Sequence, residues 1–139
     1  MLTLTTPFEF LAAGGIIAAV LVIGYIALGR VEKGNAAIAA ALSGGFLAYS
    51  VGTIAQDGLL PVWTNHTTNM WGVQVWWDLL FAVGIALFFI APRARKVGMN
   101  VPLWSLAVVA TASIALLAMC ARLFWLENAA ASDTKTASS

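Results

Sequence analysis

Apolar positions in this chain gather into four long runs separated by short polar links. That spacing predicts the architecture before any single residue is weighed. The runs are Phe8–Gly29, Ala36–Gln56, Trp71–Pro92 and Pro102–Leu126. Wound as a helix, Trp71–Pro92 covers about 33 Å, enough to cross the hydrocarbon of a bilayer. It opens on Trp71, Trp76 and Trp77, whose amphipathic indoles suit a headgroup boundary, and it runs into Arg93, Arg95 and Lys96. The pattern predicts an all-α integral membrane four-helix bundle of up-down topology. Its helices fall at about 8–29, 36–56, 71–92 and 102–126, in a single domain over 1–127, with a polar, flexible tail over 128–139.

Charge adds a direction. Arg30 and Lys33 lie in the first–second link, and Arg93, Arg95 and Lys96 lie in the third–fourth link. The N-terminus and the Asp57–Met70 loop carry no Lys or Arg, and the tail carries only Lys135. Basic links are retained in the cytoplasm, so both termini and the aromatic loop are expected outside (N-out/C-out), in the cell inner membrane. A cleavable signal peptide is not expected, because Met1–Pro7 has no basic segment and the apolar run after it is too long.

Composition agrees and narrows the chemistry. With 61% hydrophobic and 9% charged residues, the chain has too little polar surface for a soluble domain plus anchor. No basic stripe marks nucleic acid as a partner. The single cysteine, Cys120, rules out an intrachain disulfide and a thiol–disulfide mechanism, and apolar neighbours make it an inert packing residue. In the second run Ala36, Ala40, Gly44, Ala48 and Gly52 recur every fourth position, a ladder on which a neighbouring backbone packs closely. Gly14-Gly15 and Gly44-Gly45 follow no strand, so they suit helix contact and not phosphate binding. The loop with Leu59, Leu60, Val62 and Trp63 is expected to lie along the membrane surface.

The candidate site is a polar cluster in the outer leaflet. Gln74 and Asp78 share a face at i, i+4, and Asp78 lies about 10 Å inside the third run. In a straight fourth helix, Arg122 lies about 6 Å from its outer end, within reach of Asp78. Glu9, Gln56 and Asp57 stand at the rim. Mutual neutralisation of Asp78 and Arg122 is the structural account of the pair, and a functional polar site is its rival. His66, with Trp63, Trp71, Trp76, Trp77 and Trp125 around the same boundary, offers contacts for a quinone, pigment or lipid. A lone histidine supplies neither a b-haem ligand pair nor a zinc set, so no metal is expected.

Several short motifs of the second half stand together: Gln74, Asp78-Leu79, Arg93–Gly98, Pro102-Leu103-Trp104, Ser113–Leu117 and Arg122-Leu123. Over about residues 71–127 they resemble a widespread bacterial family of small membrane proteins known only as a domain of unknown function. The resemblance implies that Asp78 and Arg122 belong to a recurrent architecture, and it implies no activity. The chain departs from the pattern at Ala112 and Ala115, where the family favours glycine. Together these readings predict a non-enzymatic accessory or assembly subunit of a larger membrane complex, redox or photosynthetic among the candidates. Its expected partners are membrane lipids and other membrane subunits, or further copies of itself. A small oligomeric transporter or channel is the second reading, weakened by the absence of any visibly broken helix. A quinone- or pigment-binding membrane protein is the third.

Overall fold

In the computed structural model, which describes residues 6–28 and 34–137 (the side chains of 133–137 excepted), every regular element is a helix. The elements are α1 (Pro7–Leu28), α2 (Ala36–Asp57), α3 (Leu60–Thr67), α4 (Met70–Lys96), α5 (Val101–Thr111) and α6 (Ser113–Ala137). Four of them, α1, α2, α4 and the Ser113–Ser132 part of α6, are long and apolar enough to cross a membrane. The link carrying Arg30 and Lys33 lies outside the described residues, as does the side chain of Lys135.

The chain divides into two units, Met1–Glu32 and Lys33–Ser139. The first is α1. Its start is a capping box: the Thr6 hydroxyl accepts from the Glu9 amide at 3.3 Å, and the Glu9 carboxylate accepts from the Thr6 amide at 2.8 Å. Pro7 takes the first helical position, where a missing N–H costs nothing. Glu9, expected at the rim of a polar site, therefore acts in starting its own helix.

In the second unit, α2 starts on Asn35, whose side chain accepts from the Ile38 amide at 3.1 Å. It ends at Gly58, whose positive φ of 80° no β-carbon obstructs. The expected surface loop contains the eight-residue α3, folded back on the first turns of α4. Gly72 makes that approach possible, since a β-carbon there would stand 2.5 Å from the Asn65 carbonyl oxygen. Four residues past the expected end of the third span, α4 is still helical, continuing through Pro92 to Lys96. It stops in a Schellman motif: the Met99 amide donates to the Ala94 carbonyl at 3.0 Å and the Gly98 amide to Arg95 at 3.1 Å, with Gly98 at φ 75°.

The main departure from the sequence reading is in the fourth run, which is two helices. α5 begins on Asn100, whose side chain accepts from the Leu103 amide at 3.2 Å, and after 11 residues it breaks at Ala112. α6 then returns toward the start of α5. Met119 and Leu123 of α6 are fully buried in one cluster with Ala94, Met99 and Val101, which lie at the end of α4 and the start of α5. A straight rod would separate Val101 from Leu123 by about 33 Å, so only a hairpin with α5 beside α6 allows that cluster. α2 runs antiparallel to α6, with the Ser43 hydroxyl donating to the Ile114 carbonyl at 2.9 Å and Gly34 under the Phe124 ring. The starts of α2 and α5, the end of α4 and the middle of α6 therefore share one end of the unit. The expected up-down arrangement, with the tail leaving opposite the basic turn, is corrected: α6 continues past Glu127 beside that turn. The tail is also helical as far as Ala137. Its Ala129–Ala131 run has high helix propensity and the Ser132 hydroxyl bonds back to the Asn128 carbonyl.

Ala112 explains why the hairpin was hidden. Its φ of 47° and ψ of −117° belong to a region that glycine enters freely and alanine does not. The backbone around it is held by hydrogen bonds: the Ala112 amide to the Val108 carbonyl at 2.6 Å, and the Thr111 hydroxyl to the Ala107 carbonyl at 3.0 Å. That hydroxyl also accepts from the Ala115 amide at 3.2 Å, capping α6 where Ala112 has no side chain to do so. Ala112→Gly is expected to relieve strain on the order of 1 kcal/mol. Its thermal midpoint in detergent rises by a few degrees, whereas glycine inside an unbroken helix would lower it.

The ladder of the second run also faces differently from expectation. The α2 face buried on α6 carries Ala39 and Ser43, with Ala36 half-buried. Ala40, Gly44, Ala48 and Gly52 are exposed within this unit, and a β-carbon at Gly44 or Gly52 would meet nothing within 4 Å.

Candidate functional site

The residues proposed for one polar cluster are distributed over two ends of the second unit. Asp78 sits 15 residues before Arg93 on α4, about 22 Å along the axis. Arg122 lies near Arg93, because Glu127, one and a half turns further along α6, is bound to Arg93. Among the described residues Asp78 and Arg122 form no ion pair. The expected pairing fails because it assumed a straight fourth helix, and the hairpin brings Arg122 back to the basic end.

At the other end, Gln74 and Asp78 do share a face of α4, as their spacing requires. With Trp71, Val75, Trp77 and Phe81 they line a shallow, open groove. Every wall of that groove belongs to the same helix, so it is a surface without an opposing side. Neither polar side chain has a hydrogen-bond or ion-pair partner among the described residues. Gln56 and Asp57 end α2 and are exposed.

His66 packs on Trp76 across the α3–α4 contact, ring centres 5.2 Å apart and tilted by 56°. Its Nδ1 lies 2.5 Å from the Val62 carbonyl oxygen. The Thr64 and Thr67 hydroxyls likewise donate to carbonyls four residues back, at 3.3 and 2.8 Å. α3 thus turns its polar groups onto its own backbone, an arrangement suited to a helix lying against apolar material. Trp63, Trp71 and Trp77 stand exposed near this end. Trp125 does not join them, since it lies between Arg122 and Glu127 of α6, at the basic end. No group of three or more metal-ligating side chains occurs among the described residues.

The polar arrangement that the structure does assemble is one the sequence reading missed. Arg93 grips Glu127 with both arms of its guanidinium, Nε to Oε1 at 3.0 Å and Nη2 to Oε2 at 2.6 Å. Its carbon centre also stands 5.6 Å from the Phe124 ring. Two-point geometry and partial cover by an aromatic ring give such a pair more value than an ordinary surface contact. Arg122 is held separately, 4.5 Å over the Trp125 ring, in a cation–π contact. Arg95 and Lys96 extend from α4 exposed. Every described cationic side chain of the second unit other than His66 is therefore at one end, while Asp57 and Asp78 are well away from it.

No family model, no curated protein and no solved structure matches the chain. The resemblance over residues 71–127 has no matching family model behind it.

Proposed function

We propose that the chain is a multi-pass inner-membrane protein acting as a non-enzymatic accessory or assembly subunit of a larger membrane complex. One observation supports this above the rest: Gln74 and Asp78 sit on a face of a membrane-length helix that is exposed within its unit, with no hydrogen-bond or ion-pair partner among the described residues. A carboxylate and an amide on such a face are costly against lipid, and a neighbouring helix that donates hydrogen bonds removes the cost. Trp71, Trp77 and Phe81 around them supply rigid apolar contact area for the same neighbour. The small-residue face of α2, exposed within its own unit, adds a second surface on which another helix backbone can pack closely.

The sorting of charge supports an orientation. With Arg93, Arg95, Lys96 and Arg122 at one end, the positive-inside rule places that end, and the α6 extension beyond it, in the cytoplasm. The Asp78 groove then opens toward the outer leaflet. The test is extraction in a mild detergent followed by identification of stoichiometric co-purifying polypeptides. Asp78→Ala is expected to lower the yield of such a partner about tenfold, in line with the upper range for one interhelical polar contact. Equal recovery with wild type and variant, or a chain purified alone, overturns the reading.

A second reading, a small oligomeric transporter or channel, gains from the break at Ala112. Discontinuous helices at membrane depth are where transporters expose backbone to a substrate. It is distinguished by ion or solute flux through liposomes holding the purified chain alone.

A further inference from the structure

The geometry points to a binding surface for anionic phospholipid headgroups at the basic end of the second unit, with Arg95, Lys96 and Arg122 as its cations and Trp125 as its aromatic support. Glu127 is the described carboxylate at this end, and Arg93 occupies both of its oxygens. Arg95, Lys96 and Arg122 are exposed and have no carboxylate partner among the described residues. Among the described residues, three positive charges thus stand in one layer without a compensating carboxylate. That layer lies where α4 ends and α2 begins, which is headgroup depth for those two membrane-length helices, and basic residues between such helices recruit acidic lipids. Long Arg and Lys side chains reach the phosphate layer while their stems stay on apolar surface.

Arg122 makes the surface more than a consequence of the basic turn. In a straight fourth helix it would stand across the membrane from Arg95 and Lys96. The hairpin brings it to their level, and the Trp125 ring, 4.5 Å beneath it, holds the guanidinium in place. Trp125 is itself more than half exposed, which suits an indole at the lipid boundary. An arginine fixed over a ring keeps its N–H groups free for two-point contact with a phosphate, an arrangement lysine does not reproduce. The inference rests on the chain lying in a membrane but not on any partner complex, so a failed co-purification leaves it standing.

The experiment places the full chain in nanodiscs of phosphatidylcholine alone or mixed with phosphatidylglycerol, then reads retained lipid by native mass spectrometry. Phosphatidylglycerol is expected to be retained over phosphatidylcholine. Arg122→Gln lowers that preference about fivefold, and the triple change Arg95→Gln, Lys96→Gln, Arg122→Gln lowers it on the order of a hundredfold. Arg122→Lys loses part of the preference, because the charge survives and the stacked fork does not. Asp57→Asn, at the far end, leaves it unchanged and controls for general effects on the chain. Equal retention of the two lipids overturns the proposal, as does a preference that survives the triple change. Displacement of the lipid by millimolar inorganic phosphate also overturns it, by showing a phosphate site that needs no bilayer.

Discussion

Leu123→Ala is expected to open the α5–α6 hairpin at a cost of about 2–3 kcal/mol, the lower part of the range for truncating a fully buried leucine. The lower part applies because lipid tails are as apolar as leucine, so the transfer contribution is small and lost van der Waals contacts dominate. Leu123 and Met119 have no exposed surface, and their cluster draws residues from α4, α5 and α6 together with the turn at Met99. Removing either one therefore loosens the end of α4, the start of α5 and the middle of α6 at once. Leu106→Ala is the matched control: the same atoms are deleted from α5, but at a side chain 67% exposed. It should cost a few tenths of a kcal/mol. Thermal unfolding in detergent should place the Leu123 variant roughly 8 °C below wild type and the Leu106 variant within 2 °C of it. Equal losses from the two truncations would mean that α6 does not return onto the end of α4.

What the sequence made legible was whatever depends on one stretch of chain at a time. Run length and apolar content placed α1, α2 and the body of α4 to within a few residues. The i, i+4 rule put Gln74 and Asp78 on one face. Pro92 misled locally, because proline stops most soluble helices, whereas α4 passes through it and ends where Gly98 permits a Schellman turn. The larger miss came from Ala112. A glycine there would have flagged a turn, but alanine inside Thr111-Ala112-Ser113 continues an apolar run without visible interruption. Everything assigned by depth in the fourth run followed from that residue. Arg122 and Trp125 were assigned to the wrong end, and the Arg93–Glu127 contact, 34 positions apart, was invisible. Ala36, Ala40, Gly44, Ala48 and Gly52 show a milder form of the same limit. Their spacing identified a face where close packing is possible, but the face buried on α6, that of Ala39 and Ser43, lies one residue round the helix.

Cysteines at positions 96 and 132 are expected to be labelled from the same side of the membrane. A straight fourth helix and a hairpin differ most in this respect. In a straight rod beginning at Val101, residue 132 would be about 46 Å further along the axis and across the bilayer from Lys96. In the hairpin, α6 passes the level of Arg93 near Glu127, and Ser132 is just over a turn beyond it. With Cys120→Ser as background, Lys96→Cys and Ser132→Cys should react with a membrane-impermeant maleimide in vesicles of one orientation only, and in the same one. Trp63→Cys, on α3 at the far end of α4, should react in the other. Both outcomes depend on the two-point contact between Arg93 and Glu127 as the clamp that fixes α6 beside α4. Glu127→Arg sets a second guanidinium against that of Arg93, and it is expected to cost about 1 kcal/mol. The exchange Arg93→Glu with Glu127→Arg should recover most of that loss, because the partners, the span between them and the cover from Phe124 are kept. Labelling of positions 96 and 132 from opposite sides would remove the hairpin, and with it the shared layer of cations at the basic end.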